Sequence, residues 1–165
     1  MRELAFEKYT DQYLEQVRLT YNYFVEHTTV SFDMHPYSSE QMKQLIEPTA
    51  DIYRSYIIKL DGQYAGYALL TQHKKRPAFH VTADVTIYLD PAFTGKGIGR
   101  EAMVFIEGVA RELKFHSLVA LICTENDSSI ALFKKLGYEQ VACYKEIAYK
   151  FERWLDLASF QKILR

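Results

Sequence analysis

Cysteine, proline and glycine are all scarce in this 165-residue chain, at two, four and seven residues, and each scarcity removes a class of protein. The two thiols, Cys123 and Cys143, lie in separate apolar stretches with no Cys-x-x-Cys pair. They frame neither a disulfide scaffold nor a zinc site and are expected to be buried and reduced. No Pro-, Gly- or Ser-rich tract marks a linker or a disordered tail. Charge of one sign is lacking too, since twenty Lys and Arg face twenty-one Asp and Glu, and a basic stripe for nucleic acid is not present. No apolar run reaches the ~18 residues of a membrane span, and the opening "MRELAFEKYTDQ" is charged where a secretory signal is apolar, so a cytoplasmic protein without membrane contact is expected. The five histidines show no ligand spacing, and no metal is expected.

What is present is an ordinary globular composition, 48% hydrophobic and 25% charged, of a length that fits one domain over residues 1–165. Leu4 and Phe6 alternate with charged neighbours as in a half-buried strand, and a helix follows with Leu14, Val17, Tyr21 and Phe24 at helical spacing. Thr10 or Asp11 is its expected cap. Ser38 and Gln41 form a capping box ahead of Met42, Leu45 and Ile46. Asp61-Gly62, between two β-prone runs, predicts a hairpin. A strand over 81–89, a glycine run, a helix with Met103, Ile106, Val109, Ala110 and Leu113 on one face, and a strand over 117–123 come next. That second strand is expected to pair in parallel with the first. Asn126 or Asp127 caps a further helix ended by Gly137, and two closing antiparallel strands turn at Glu152-Arg153. The fold class is α/β (α+β): a mixed, mostly antiparallel central sheet of about seven strands with flanking helices.

Three glycines in five positions, Gly95, Gly97 and Gly99, open a helix after a strand. A helix N-terminus presents unpaired N–H groups and a positive dipole end, and backbone without β-carbons lets an anion approach closely. Phosphate is the natural guest. Two phosphate loops fail here for one reason: counted from Gly95, the sixth position is Arg100, which suits neither the Walker pattern nor the dinucleotide fingerprint. A tight strand-to-helix turn with no ligand is the competing structural explanation.

The stretch "DPAFTGKGIGREAM", followed about 30 residues later by "ENDSSIALFKKLGYE", resembles the acetyl-CoA-binding core of the GNAT superfamily of N-acetyltransferases, whose loop reads Arg/Gln-x-x-Gly-x-Gly/Ala. Gly97 and Gly99 match, while Thr94 stands where the family prefers Arg or Gln. "YNYFVEHTTVSFD", "GYALLTQHKKRPAFHVTADVTIYLDP" and "YKFERWLDLASFQ" extend the resemblance to the phosphinothricin acetyltransferase-like branch, from about residue 3 onward. That branch acetylates the α-amino group of amino-acid analogues and usually forms homodimers.

The resemblance implies roles for particular residues. Thr94, Gly95, Lys96, Gly97, Ile98, Gly99 and Arg100 would cradle the pyrophosphate of acetyl-CoA, and a backbone N–H within Ile87, Tyr88 and Leu89 would stabilise the oxyanion. Asn126 would meet the pantetheine, Ser129 and Lys135, expected on the same side of that helix, would meet the phosphates, and Phe133 would pack beside the thioester arm. Phe133 fills the slot where many members carry a Tyr acid. Asp84 stands where the branch has a Glu base; being one methylene shorter, it favours a bridging water over direct contact. Lys74 and Arg76 match positions that grip the acidic end of the substrate, Phe32 an aromatic wall, and Thr86 with Tyr88 the floor. The implied function is transfer of acetyl from acetyl-CoA to the α-amine of a small amino acid such as phosphinothricin, methionine sulfoximine or methionine sulfone. Phe79, His80 and Asp84, in place of the branch's Tyr, Arg and Glu, leave open an acceptor that is a different small amine. A catalytically idle acyl-CoA-binding module and a nucleotide-binding protein are the rival readings.

Overall fold

A computed structural model describes residues 2–165. One seven-stranded sheet runs through them in the order β1-β2-β3-β4-β5-β7-β6. The strands are β1 (Leu4–Lys8), β2 (Arg54–Leu60), β3 (Gln63–Gln72), β4 (Thr82–Leu89), β5 (Ser117–Cys123), β6 (Glu139–Lys150) and β7 (Arg153–Ile163). Every neighbouring pair is antiparallel except β4 and β5. The helices are α1 (Leu14–His27), α2 (Ser39–Ile46), α3 (Ile98–Glu112) and α4 (Asp127–Lys135).

Each face of the sheet carries its own apolar layer, because strand residues alternate in direction. Ala83, Val85, Ile87 and Leu89 of β4 join Ile98, Met103, Ile106 and Ala110 of α3 on one face. On the other, Tyr88 of β4 joins Tyr67 and Leu69 of β3 beneath Val17, Tyr21, Val25, Met42 and Ile46 of α1 and α2. The expected helical stripes are therefore the buried ones, with Val109 and Leu113 packed at the margin.

Local signals act as their chemistry dictates. Ser38 and Gln41 form the reciprocal capping box, and Asp61 and Gly62 both take positive φ between β2 and β3. Asn126 caps α4 by accepting from the Ser129 N–H at 3.3 Å. Three expectations shift. Thr10 and Asp11 begin a short 3₁₀ turn, Asp11–Tyr13, with no side-chain cap, and α1 starts only at Leu14. The closing turn falls at Phe151 and Glu152, one residue earlier than expected, with both at positive φ although neither is Gly. Cys123 is buried, but Cys143 is only half-buried, since β6 is the sheet's edge. That edge hairpin leaves Val141, Tyr144, Ile147, Tyr149 and Trp154 exposed.

Candidate active site

The sheet opens where its one parallel pair ends. β4 and β5 are paired only from Thr82 to Asp84, opposite Ser117 to Val119. Beyond that point β4 keeps its antiparallel partner β3 as far as Leu89 opposite Gly66. Its other edge faces a cleft, lined by Val85, Ile87, Tyr88, Ala120, Ile122 and Phe133, with Asn126 and Ser129 of α4 at the side. Main-chain groups of residues 85–89 on that edge thus meet space instead of a strand. This is the stretch expected to stabilise an oxyanion.

Gly66 fixes the far side of this segment. A Cβ built on it would stand 2.2 Å from the Tyr88 carbonyl oxygen and 2.9 Å from the Leu89 Cα. Only glycine permits such an approach, and an isolated glycine inside an apolar strand was the sequence signal for it.

The glycine loop leads from β4 to α3. Asp90 accepts from the Ala92 N–H at 3.0 Å and turns the chain, and Gly95 and Gly97 follow at φ +74° and +76°. Gly97 is the residue before α3 and gives its first N–H groups no side-chain cap. Those donors remain available to an anion, and no Cβ at 95 or 97 screens them. Gly99 serves packing instead: its added Cβ would press to 3.3 Å from Leu132 of α4. The Thr94 hydroxyl is spent on the Pro91 carbonyl at 3.0 Å. Arg2 bridges the loop, donating to the Lys96 carbonyl and pairing with Glu101, a contact across the sequence that no local pattern announces. Lys96 and Arg100 are exposed at the loop.

Along α4, Phe133 is buried, edge-on to Tyr138 with centroids 4.9 Å apart, and forms part of the cleft floor. Ser129 lines the cleft, whereas Lys135 is exposed and does not. Six residues at about 100° each carry a side chain well round a helix, so the two do not share a side.

A second cavity lies on the α1 face, lined by Tyr21, Phe32, Asp33, Tyr88, Leu121 and Leu157 among others. It shares Val30, Tyr88, Leu121 and Cys123 with the first, so the two spaces meet at Tyr88. The loop after α1 that forms its wall is tied down from distant positions. Lys150 is buried and donates to the Ser31 carbonyl at 2.7 Å. Arg153 gives two bonds to the Glu125 carboxylate at 2.7 and 2.8 Å, and the Thr29 hydroxyl donates to the same group. The Tyr21 hydroxyl donates to Asp33. Burial pushes the Lys150 ammonium down, offset in part by Asp33. None of Glu125, Lys150 and Arg153 is legible as a site residue, because each acts through a partner far along the chain.

Asp84 sits at the fork itself, on the face shared with Thr86 and Tyr88. Thr86 lines the first cleft. Burial raises the Asp84 carboxyl above the ordinary aspartate value, while a hydrogen bond from His73 and the charge of Lys74 pull it back in part. His73 Nδ1 stands 2.6 Å from Asp84 Oδ1. Lys74 and Arg76 are exposed on the segment between β3 and β4 and line neither cavity. Phe32 and Tyr88 do share a cavity wall. Among the described residues no group of acidic, histidine or cysteine side chains is arranged to hold a metal, and no helix is long and apolar enough to cross a membrane.

Comparison with known proteins agrees with this geometry. Residues 8–158 match the family model described as acetyltransferase (GNAT) domain. The chain is 29% identical over 150 residues to a phosphinothricin N-acetyltransferase of Streptomyces coelicolor, covering 87% of this chain and 86% of that one. It is 30% identical over 142 residues to an L-methionine sulfoximine/L-methionine sulfone acetyltransferase of Salmonella typhimurium, covering 86% and 83%. In structure it is similar to a GNAT superfamily phosphinothricin acetyltransferase of Sinorhizobium meliloti in complex with acetyl-CoA, at TM-score 0.92 and 28% identity over 98% of this chain and 88% of that one.

Proposed function

The chain belongs to the GNAT acetyltransferase family, and on that premise we propose that it moves the acetyl group of acetyl-CoA onto the α-amine of a small amino acid or analogue, the class of phosphinothricin, methionine sulfoximine and methionine sulfone. The observation that carries the reading is the meeting of two cavities at Tyr88, one in the fork between β4 and β5 floored by Phe133 and one walled by Phe32, with Asp84 at the fork itself. Donor and acceptor would enter from opposite faces of the sheet.

Acetyl-CoA is the cosubstrate, and the residues fit it. Gly95 and Gly97 leave the α3 N–H groups bare for the pyrophosphate, with Thr94, Lys96, Ile98, Gly99 and Arg100 completing the loop. The pantetheine runs between β4 and β5, past Asn126, Ser129 and Phe133. Lys135, on the exposed side of α4, would reach only a portion that leaves the cleft. A main-chain N–H within Ile87 to Leu89 donates to the thioester oxygen as negative charge develops there.

The acceptor arrives as an ammonium and must lose a proton before attack. Asp84, one bond shorter than glutamate, takes that proton through a water, and its raised basicity from burial favours the transfer. The amine nitrogen then forms the C–N bond, the C–S bond breaks, and the thiolate departs. Phe133 has no proton to give, and a thiol with ordinary pKa near ~8.5 leaves without one. Arg76, with Lys74, would grip an acidic end of the acceptor from the rim, a guanidinium matching a carboxylate or phosphinate bidentately, while Thr86 and Phe32 shape the pocket. The apolar walls Phe32, Leu121 and Leu157 favour a second reading, a neutral or sulfur-containing side chain on the acceptor.

The enzyme is read as one domain acting as a homodimer in the cytoplasm. The exposed Tyr144, Tyr149 and Trp154 of the β6–β7 hairpin support the homodimer, and the free thiols suit a reducing compartment. The test is incubation with acetyl-CoA and an amino-acid mixture, read by mass spectrometry. An N-acetylated amino acid supports the proposal, and acetyl-CoA bound tightly with no acetylated product favours the idle module.

A further inference from the structure

From the contact between His73 and Asp84 we infer that His73 is the positioning residue of the base, so that the base of this enzyme is a dyad. This inference rests on the reading of Asp84 as base and adds to it a second group, on a different strand, with a defined task.

The topology orders the two groups. The register sets Thr71 of β3 opposite Asp84 and Gln72 opposite Ala83, so His73 lies just past the end of β3. β3 flanks β4 on the side away from β5. The order across the sheet is therefore His73, Asp84, then the fork where β4 and β5 part. His73 engages Oδ1 of Asp84, and Oδ2 has no hydrogen-bond partner among the described residues. One carboxylate oxygen is held from behind and the other is left for the acceptor side.

The chemistry follows from the shortened arm. An aspartate that reaches through a water needs a fixed carboxylate plane, because every loose torsion dilutes the productive geometry. A single hydrogen bond from an imidazole supplies that constraint. The site is guarded on its other sides by groups that do not titrate near neutrality: Thr71 and Val119 flank Asp84 on β3 and β5, and Phe79 meets the His73 ring at 6.0 Å between centroids. Lys74 is the other charged group acting on Asp84, and it favours the carboxylate.

The proton balance leaves Asp84 with one proton to release in each turnover. The substrate ammonium has three N–H protons, the amide product keeps one, the thiolate takes one to become thiol, and one is released. Asp84 collects that last proton as Asp84–COOH. With His73 Nδ1–H donating to Oδ1, the proton sits on Oδ2 and returns to solvent through the water that faces it, which restores the carboxylate. The His73 and Asp84 side chains are about equally exposed, 22% and 23%, so the carboxyl has its own route to water.

The test compares His73→Gln, His73→Phe and Asp84→Asn with the wild-type enzyme over pH 5.5 to about 9, by CoA thiol release with the acceptor turned over fastest. Alongside it, the tautomer of the His73 ring is read by nitrogen NMR in wild type and in Asp84→Asn, which needs no acceptor. The dyad predicts that both His73 variants lose roughly tenfold or more in kcat, the worth of one hydrogen bond to a charged group, with KM for acetyl-CoA unchanged. It predicts that neutral His73 carries its proton on Nδ1 in wild type, read from the ring nitrogen shifts, and that this preference weakens in Asp84→Asn. Gln, which still donates to Asp84, retains more activity than Phe. If both His73 variants match wild type in kcat and pH profile while Asp84→Asn is inactive, the dyad is wrong and the base reading stands. A fully active Asp84→Asn removes both.

Discussion

Asp84 faces Val119 across the last parallel pair of β4 and β5, and one residue further on the strands have parted. A carboxylate at that point is buried by the sheet behind it and open to the cleft ahead. That placement accounts for a carboxyl raised by desolvation at the position where the proposed reaction takes up a proton.

The pH dependence of stability follows with a definite sign. A carboxyl raised in the folded protein adds stability while protonated, below the ordinary aspartate range, and that contribution is lost as pH rises through the raised folded value. Asp84→Asn stays neutral throughout. Its Tm is expected to equal or exceed that of wild type at pH 7 and to converge with it towards about pH 4. Scanning calorimetry across that range checks this, and a variant clearly less stable at pH 7 would contradict the electrostatic account.

Gly97 and Gly62 make a controlled pair. Both have positive φ, +76° and +81°; an added Cβ meets only the Arg2 guanidinium, at 3.8 Å, in the first case and nothing within 4 Å in the second. Substitution by Val therefore costs each a similar backbone strain, of order 1–3 kcal/mol. Gly97→Val is expected to weaken acetyl-CoA binding at least tenfold by calorimetry, and Gly62→Val to leave it unchanged. Equal affinities in the two variants would mean that the loop is only a turn.

Gly66→Ala drives a methyl into the Tyr88 carbonyl. The strands must separate there, with a cost of about 1–3 kcal/mol, and a Tm lower by roughly 2–4 °C for each of those kcal/mol. Because residues 87–89 carry the proposed oxyanion donor, kcat should fall by more than acetyl-CoA affinity does. A stable variant with full turnover would show that the close approach has no bearing on catalysis.

Arg76 is exposed, so its pairing with an acceptor is worth only about 1 kcal/mol, or roughly fivefold in KM. Arg76→Ala is expected to raise KM by that factor for phosphinothricin and to leave KM for methionine sulfone nearly unchanged. Equal effects on the two would remove the residue from acceptor recognition.

Trp154 is 61% exposed and packs edge-on to Tyr149 on the edge hairpin. Light scattering is expected to give twice the chain mass for wild type and the chain mass for Trp154→Glu. A wild-type monomer would leave the patch without its proposed partner.

Much of this architecture was legible because local chemistry and tertiary context agree. Asp61-Gly62, the Ser38–Gln41 box, Asn126 and Gly137 each act as their residue types dictate. The glycine loop was legible because no other residue type keeps backbone bare before a helix. The turn at Phe151 and Glu152 was misplaced by one residue because neither residue carries the usual positive-φ signature; the pairing of β6 with β7 imposes it. Asp84 was named through resemblance, but nothing local in the sequence singles out its neighbour His73. Two residues eleven apart on adjacent strands meet only once the register between β3 and β4 is known. The braces on the α1 loop from Lys150 and Arg153 were invisible for the same reason.

The most direct test of the central claim is release of CoA thiol from acetyl-CoA, followed colorimetrically with phosphinothricin, methionine sulfoximine, methionine sulfone and the common amino acids, each with wild type and Asp84→Asn. The account predicts release that depends on the amine, strongest for one member of this panel, and reduced by about 100-fold or more in the variant. Amine-dependent release that is undiminished in Asp84→Asn, or tight acetyl-CoA binding with no release for any amine, would contradict it.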